Sequence, residues 1–376
     1  MRALVVTWGL GGNLPPLLGA ASVLARRGHE LTFLASERTR GAVERLGFPA
    51  TAYRRTAEPD TRIPFEQQAE QIMATAAGVD VALDARDVLE DVRPDLAIVD
   101  CMLPAALAAA RAMGTPAVSL VHFFYGLART TMLRDGGGFT TDLRTLATTH
   151  EALGLDPICD GLAAWEAVEL LLVTAPRWLD LDADAPEHVV HAGPLDVRTH
   201  VGAPPRAPGS RQRVLLTFST TVMEDQPALV DRVCAAVAGL DVHAVLTLGP
   251  ALDRDALDVP DRIEVLEFGD HDRLMPACAA VVGHGGLGTM LRALAHGLPQ
   301  LLLPLGRDQV FNASRTEQLD AGIALPPDAP AERIRTALRT LLAEPRFASA
   351  ARRAAARIAA DEPDQTAAEA LERTAP

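Results

Sequence analysis

The segment 281–289 has the sequence VVGHGGLGT and combines one histidine with glycines at the junction of a predicted strand and a predicted helix. Glycines at such a junction allow the backbone to approach a ligand closely, and the first amides of the helix carry partial positive charge. These features are typical of a diphosphate site. A tight strand-to-helix turn without a ligand is the alternative that the residues alone leave open.

A second polar segment follows the next predicted strand, at 303–312, with the sequence LPLGRDQVFN. In parallel α/β sheets, ligands bind beyond the carboxyl ends of strands, so we expect both segments to border one crevice. Asp308, Gln309 and Asn312 supply a carboxylate and two amides, which are groups that bind sugar hydroxyls. The alternative for Asp308 is a solvated acid in a loop.

Glycines also occur in the first strand-to-helix turn, 8–18, which has the sequence WGLGGNLPPLL. Their spacing differs from the dinucleotide-binding pattern G-x-G-x-x-G, and two prolines follow directly. The turn therefore does not predict a nicotinamide cofactor.

The elements that must position these segments are predicted from short apolar runs that alternate with longer helical patterns. This alternation is typical of βαβ units and a mostly parallel sheet, so the predicted fold class is α/β. Strands are predicted at 3–7, 31–35, 96–100, 117–122, 170–174, 189–192, 214–219, 243–248, 263–268, 280–283 and 300–304. Helices are predicted near 227–238 and 287–296.

The length of 376 residues suits two domains. Periodicity is lost at 196–212, where proline and glycine accumulate, and we predict the linker there. The predicted domains are 1–200 and 212–357, and a last helix at about 358–376 is expected to pack back on the first. A glycine-rich segment at 134–142 is predicted to be a mobile loop.

The formal charge of −14 and the pI of about 5.2 argue against a nucleic-acid-binding protein, which needs a basic surface. The scattered cysteines, Cys101, Cys159, Cys234 and Cys278, are interpreted as small buried apolar residues and not as metal ligands. No apolar run approaches the roughly 20 residues of a membrane span. The sequence begins with a predicted strand and not a signal peptide, so we expect a cytoplasmic protein without stable membrane association.

Together, the two polar segments resemble the donor signature of the GT-B, family 1 glycosyltransferases, and are most similar to the bacterial enzymes that glycosylate natural products. The matching motifs are His284-Gly-Gly-Leu-Gly-Thr289, Pro304-Leu-Gly-Arg-Asp308-Gln309-x-x-Asn312 and the supporting loop Ser219-Thr220-Thr221. The resemblance covers almost the whole chain. It implies two Rossmann-like domains facing across a cleft, with the acceptor bound by the N-terminal domain and the donor by the C-terminal one.

The resemblance also implies a role for each donor-site residue. The diphosphate would be held by the turn residues His284, Gly285, Gly286, Gly288 and Thr289. Asp308 and Gln309 would bind hydroxyls of the donor sugar, while Asn312 would support their loop or the phosphate. Ser219 and Thr220 would lie near the diphosphate. The segment from Phe268 to His271 falls where the family binds the base, so Phe268 either stacks on a pyrimidine or ends a strand as a core residue.

The general base is where the sequence departs from the family. The family has a histidine or an aspartate where this chain has Asn13, and an amide cannot accept a proton. Asp100 matches the second residue of the family's dyad. Three hypotheses stay open: Asp100 is the base, directly or through water, with Asn13 orienting the acceptor; His122 is the base; or the acceptor is already nucleophilic and needs little help.

The aromatic residues after His122, Phe123 to Tyr125, are expected to line an apolar acceptor pocket or its wall. The resemblance implies inverting transfer of a hexosyl or deoxyhexosyl group, with dTDP as the expected nucleotide, to a small, largely apolar aglycone in antibiotic biosynthesis.

Such enzymes use no metal ion or other cofactor, and the acidic run at 181–184 is interpreted as a surface feature. The expected partners are the small-molecule donor and acceptor, and a homodimer is compatible with the sequence. The alternatives are a donor-binding accessory protein of another transferase and a nucleotide-sugar 2-epimerase.

Overall fold

The computed structural model describes residues 1–9, 11–58, 65–132, 142–158, 160–180, 185–197, 211–220 and 226–376. The chain divides into two compact units. Unit 1 comprises Met1–Asp196 and Asp361–Pro376, and unit 2 comprises Val197–Ala360. The acidic run at 181–184, the glycines predicted to form a mobile loop and most of the predicted linker lie outside the described residues.

The described part of unit 1 contains a seven-stranded parallel sheet with the order β3-β2-β1-β4-β5-β6-β7. Its strands are β1 (Arg2–Val6), β2 (Glu30–Ala35), β3 (Ala50–Ala52), β4 (Leu96–Asp100), β5 (Ala117–Val121), β6 (Leu170–Val173) and β7 (Val189–His191). The central strands β4 and β5 are buried along their whole length, as expected for a parallel sheet covered on both faces.

Helices of unit 1 cover both faces of this sheet. They are α1 (Leu14–Arg26), α2 (Glu37–Arg45), α3 (Phe65–Ala77), α4 (Val79–Val92), α5 (Pro104–Ala112), α6 (Tyr125–Leu127), α7 (Leu143–Ala152) and α8 (Gly161–Glu166). Prolines in the first turn of α1 cost no hydrogen bond, and Gly28 adopts a positive φ of 84° just after its end.

The described part of unit 2 contains a six-stranded parallel sheet with the order β10-β9-β8-β11-β12-β13. Its strands are β8 (Gln212–Thr217), β9 (Val242–Thr247), β10 (Glu264–Leu266), β11 (Ala280–Gly283), β12 (Gln300–Leu302) and β13 (Gly322–Ala324). Its helices are α9 (Pro227–Ala238), α10 (His271–Leu274), α11 (Leu287–Ala295), α12 (Gln309–Gln318), α13 (Ala331–Ala343) and α14 (Pro345–Ala360). The chain then returns to unit 1 as α15 (Pro363–Thr374).

Each sheet has one point where the strand order reverses direction. In unit 1 this point lies between β1 and β4, and in unit 2 it lies between β8 and β11. The loops that follow the two strands at such a point diverge to opposite sides of the sheet, which leaves a crevice at the carboxyl ends of the strands. The fold therefore provides one crevice in each unit.

Two observed strands, β3 and β13, have no counterpart among the predicted strands. Each contains three residues and lies at the edge of its sheet. Their sequences, Ala-Thr-Ala and Gly-Ile-Ala, contain at most one large apolar side chain, so neither shows the apolar run that identifies a strand in a sequence. Within the described residues, no helix is both long and apolar enough to cross a membrane.

Candidate functional site

Three predicted residues of unit 1 meet at its strand-order reversal. Asp100 is the last residue of β4, and Asn13 lies in the turn between β1 and α1. Asn13 Nδ2 donates to Asp100 Oδ2 at 3.2 Å, and His122 Nε2 lies 2.9 Å from Asp100 Oδ1. The backbone N–H of Met102 also donates to Asp100 Oδ1, at 3.0 Å. The carboxylate of Asp100 thus contacts three donor groups: the amide of Asn13, the imidazole of His122 and the backbone N–H of Met102.

The burial of these side chains differs. Asp100 is 1% exposed and His122 is 7% exposed, whereas Asn13 is half-buried. Burial lowers the pKa of the His122 imidazole, but the charge of Asp100 and the hydrogen-bond contacts of the ring with Asp100 and Cys101 raise it, and the net pKa lies well above the ordinary value. Burial raises the pKa of the Cys101 thiol, so this thiol is neutral at neutral pH. The carboxylate of Asp100 is therefore the charge that keeps His122 protonated.

The aromatic residues after His122 are buried: Phe124 and Tyr125 are 0% exposed and Phe123 is 8% exposed. The ring of Phe123 stacks on that of Trp165, with centroids 6.4 Å apart. The ring of His122 lies 4.4 Å from that of Phe123. The imidazole that contacts Asp100 therefore also packs against an aromatic side chain.

In unit 2, glycines bring the turn after β11 close to the loop after β12. A Cβ atom on Gly285, which has a φ of 87°, would lie 3.3 Å from the carbonyl oxygen of Gln309. A Cβ atom on Gly286 would lie 2.6 Å from Nε2 of His284. The histidine ring therefore folds over the start of α11 because residue 286 has no side chain.

The side chain of Asn312 connects these two loops. Its Nδ2 donates to the carbonyl oxygen of Gly285 at 2.9 Å and to Asp308 Oδ2 at 2.8 Å. Gln309 Oε1 accepts from the backbone N–H of Leu305 at 2.8 Å, which closes the second loop on itself. Asp308, Gln309 and Asn312 are 9%, 1% and 0% exposed, so Asp308 is not a solvated loop acid.

The loop after β8 lies on the other side of the reversal point. The backbone N–H of Ser219 donates to Gln226 Oε1 at 2.7 Å, and Gln226 Nε2 donates to the carbonyl oxygen of Ser219 at 3.1 Å. Thr220 is exposed, and Thr221 lies outside the described residues. Sequence reasoning missed Gln226, because nothing in its neighbours indicates a contact with a loop seven residues earlier.

The predicted base-binding segment follows β10. Phe268 is 82% exposed, so it is not a core residue. His271 begins α10, and its Nε2 lies 3.4 Å from Thr217 Oγ1 at the end of β8. Burial, and then the charge of Arg292, lower the pKa of His271 to about 4. This imidazole is therefore neutral at neutral pH.

The structure thus forms two groups of predicted residues. In unit 1, Asn13 and His122 both contact the carboxylate of Asp100. In unit 2, contacts join the turn after β11 to the loop after β12, and further contacts lie within each segment. The residues that make these contacts are His284, Gly285, Gly286, Asp308, Gln309 and Asn312. Gly288 is exposed and Thr289 is half-buried, and both lie at the start of α11.

Comparisons with known proteins show what the chain is similar to in sequence and fold. Residues 231–373 match the family described as "Erythromycin biosynthesis protein CIII-like, C-terminal domain". The TDP-daunosamine transferase DnrS of Streptomyces peucetius is 41% identical over 163 residues, which are 42% of this chain and 37% of that protein. The chain therefore matches little more than a third of the length of this relative.

Two comparisons extend over most of the chain. The 4'-demethylrebeccamycin synthase of Lentzea aerocolonigenes is 27% identical, and the match covers 92% of this chain and 93% of that protein. The crystal structure of the glycotransferase of kitacinnamycin superimposes with a TM-score of 0.81 at 23% identity, covering 100% of this chain and 99% of that chain. The predicted GT-B fold class and the resemblance to natural-product glycosyltransferases are confirmed.

Proposed function

We propose that this chain, which has the GT-B fold and an EryCIII-like C-terminal domain, is an inverting glycosyltransferase. It transfers a hexosyl or deoxyhexosyl group from a nucleoside-diphosphate sugar to a small, largely apolar natural-product acceptor. The observation that carries the proposal is that predicted donor residues and predicted acceptor-side residues each converge at the strand-order reversal of their own sheet. Ligand sites of α/β sheets lie at this position.

Unit 2 supplies the groups that a nucleotide sugar needs. The start of α11 offers backbone amides with partial positive charge, and the His284 ring lies against the same turn. These groups stabilise the negative charge that develops on the departing diphosphate. Asp308 and Gln309 bind sugar hydroxyls, and Asn312 keeps their loop against the phosphate-binding turn.

Further donor contacts come from the edges of the same crevice. The exposed ring of Phe268 stacks on the base, and Ser219 and Thr220 approach the diphosphate. DnrS is by name a TDP-daunosamine transferase, and its 41% identity to this chain supports dTDP as the nucleotide and a deoxysugar as the transferred group.

Unit 1 supplies the proton acceptor. A protonated His122 cannot accept a proton, so the buried contact between His122 and Asp100 favours the carboxylate as the base. Asn13 is the more exposed member of this group, and its amide orients the acceptor hydroxyl toward Asp100 Oδ2. Three donors stabilise the carboxylate anion, and acceptors with an acidic hydroxyl, such as phenols, therefore suit this site.

The proposal is tested by calorimetric titration with dTDP and by transfer assays with dTDP-sugars and a panel of phenolic and alcoholic acceptors. We expect His284→Ala and Asp308→Asn to reduce nucleotide-sugar turnover strongly while the unfolding temperature changes little. The matched controls are His243→Ala and Asp328→Asn, which alter an exposed histidine and an exposed acid of unit 2.

Absence of dTDP and UDP binding at millimolar concentration would refute the donor site. Binding of dTDP without transfer to any acceptor would contradict the enzymatic part and favour an accessory role. A new epimer formed from the donor alone would favour the epimerase.

A further inference from the structure

The buried cluster beside Asp100 contains a third ligand type that the proposed reaction does not use. Cys101 follows Asp100 directly, and its Sγ lies 3.7 Å from His122 Nε2. A carboxylate oxygen, a thiol sulfur and an imidazole nitrogen all lie within 4.8 Å of one another. Among the residues that the structure describes, no other group of three His, Cys, Asp or Glu side chains brings its ligand atoms this close together.

The spacing of these atoms suits a small divalent ion. Zinc is bound at about 2.3 Å by thiolate and about 2.0 to 2.2 Å by imidazole and carboxylate. With these bond lengths, two ligands of one tetrahedral ion lie about 3.3 to 3.6 Å apart. Asp100 Oδ1 lies 2.9 Å from His122 Nε2, and His122 Nε2 lies 3.7 Å from Cys101 Sγ, so small side-chain shifts would admit the ion. Water supplies the fourth ligand, as in zinc sites with three protein ligands.

The ligand set also selects the kind of ion. A thiolate and an imidazole favour Zn²⁺ and related transition metals over Mg²⁺ or Ca²⁺, which prefer oxygen ligands. A second shell is already present, because Asn13 Nδ2 and the Met102 backbone N–H both donate to the carboxylate. Such donors orient a carboxylate ligand and increase the affinity of a metal site.

We propose that Asp100, Cys101 and His122 form a reversible binding site for Zn²⁺. The bound ion inhibits the protein because it occupies the carboxylate that would take the proton from the hydroxyl group of the sugar acceptor. Three metal–ligand bonds form, to a carboxylate oxygen, Sγ and Nε2. Two protons leave to solvent, one from the Cys101 thiol and one from His122 Nε2, and the remaining imidazole proton stays on Nδ1.

Metal binding rests on the geometry of unit 1 alone, and only the inhibition rests on the proposed function. The two parts can therefore fail separately. The first test uses Co²⁺ as a spectroscopic substitute for Zn²⁺ and needs no sugar donor or acceptor.

We expect the full chain to bind one equivalent of Co²⁺, with a thiolate-to-cobalt charge-transfer band and the visible bands of tetrahedral coordination, and Zn²⁺ to displace it. Cys101→Ala is expected to abolish the charge-transfer band and to weaken Zn²⁺ binding by at least the roughly 10- to 100-fold that loss of a mere second-shell partner causes. The control Cys278→Ser alters a cysteine whose Sγ donates to the Leu274 carbonyl, a bond that serine also makes, and should keep the band.

The second test measures transfer activity against Zn²⁺ occupancy. Saturating Zn²⁺ should reduce the activity of the unmodified protein at least about 100-fold, since a general base contributes roughly 10²–10⁴-fold. A chelator should restore it, and Cys101→Ala, whose side chain takes no part in the reaction, should stay active in Zn²⁺. Binding of dTDP to unit 2 should be unchanged.

Either of two results would overturn the metal site: no uptake of Co²⁺ by the full chain, or equal uptake and an equal charge-transfer band in Cys101→Ala. Circular dichroism and the unfolding temperature verify that the Cys101→Ala variant is folded. Cobalt uptake with unchanged transfer activity would overturn the inhibition.

Discussion

Asp100 shows how contacts set the chemistry of one residue. Its carboxylate is 1% exposed, receives hydrogen bonds from Asn13 and Met102, and faces the protonated ring of His122. Buried charges are tolerated in proteins when they are paired and hydrogen-bonded in this way. A buried carboxylate of this kind, next to a half-buried amide, is suited to accept a proton from a bound hydroxyl.

The first prediction concerns this carboxylate. Asp100→Asn keeps the shape and one acceptor oxygen but removes the charge, so turnover should fall by roughly 10²–10⁴-fold. The free energy of unfolding should also fall, because buried His122 loses its charge partner and the new amide N–H₂ faces one of the three donors. His122→Gln should cost less, because glutamine still donates a hydrogen bond to Asp100. The measurements are kcat/KM and its pH profile for the three proteins. Full activity in Asp100→Asn would rule out Asp100 as the base.

A second residue with a shifted pKa is His271 of unit 2. Its folded-state pKa of about 4 lies below the ordinary value of 6.5, mainly because the ring is buried. In the window between these values the unfolded chain binds a proton that the folded chain does not. The stability contributed by His271 is therefore complete above pH 6.5 and is lost as the pH falls toward 4.

The second prediction follows from this sign. Between pH 7 and pH 5, the free energy of unfolding of the unmodified protein should fall by about 1 to 2 kcal/mol more than that of His271→Gln. Denaturant titrations of both proteins at the two pH values measure the difference. An equal decrease in both would show that the imidazole does not titrate as inferred.

At the scale of elements, two glycines at the start of α11, Gly286 and Gly288, have different surroundings. Gly286 lies against His284, so a methyl group there would displace the ring. Gly288 faces open space at the start of the helix, and a methyl group there meets nothing within 4 Å. The open space at residue 288 is where the proposed diphosphate approaches the backbone.

The third prediction uses this difference. Gly288→Ala should leave the free energy of unfolding unchanged or raise it by up to about 1 kcal/mol, since alanine favours helix. Its affinity for dTDP should fall by at least about tenfold, or about 1.4 kcal/mol. The control Gly41→Ala, also inside a helix, should change stability alone. Unchanged dTDP affinity in calorimetry would contradict a phosphate at this turn.

At the scale of the whole molecule, unit 1 is built from both ends of the chain. The helix α15 packs on α1, and Ala367, Ala370 and Leu371 belong to the core beneath the first sheet. Two ion pairs add to this contact, Arg26 with Asp364 at 2.7 Å and Arg27 with Glu372 at 2.8 Å. Their side chains are partly exposed, so the apolar packing supplies most of the stability.

The fourth prediction tests that packing. Leu371 is 0% exposed, and Leu371→Ala should lower the free energy of unfolding of unit 1 by about 2 to 5 kcal/mol. Because the donor residues lie in unit 2, dTDP binding should persist in the folded variant. The control is Leu46→Ala, which alters a leucine that is 59% exposed. Equal unfolding curves for the two variants would contradict the role of α15.

Much of the architecture was predictable from local patterns alone. The alternation of apolar runs and helical periods predicts the α/β class, and the structural comparison confirms the GT-B fold. The His284 turn and the Asp308 loop were identifiable because glycines, a histidine and amides follow strands directly, within a few residues. The edge strands β3 and β13 escaped prediction because their sequences, Ala-Thr-Ala and Gly-Ile-Ala, contain at most one large apolar side chain.

The group around Asp100 was decided by tertiary structure. Asn13 and Asp100 are separated by 87 positions, and they meet because β1 pairs with β4 and not with β5. The sequence identified Asp100, His122 and Asn13 as separate candidates, but it could not show that His122 pairs with Asp100 or that Cys101 lies beside both. The order and register of strands in a sheet depend on the packing of whole faces, and no local pattern of residues encodes which strands become neighbours.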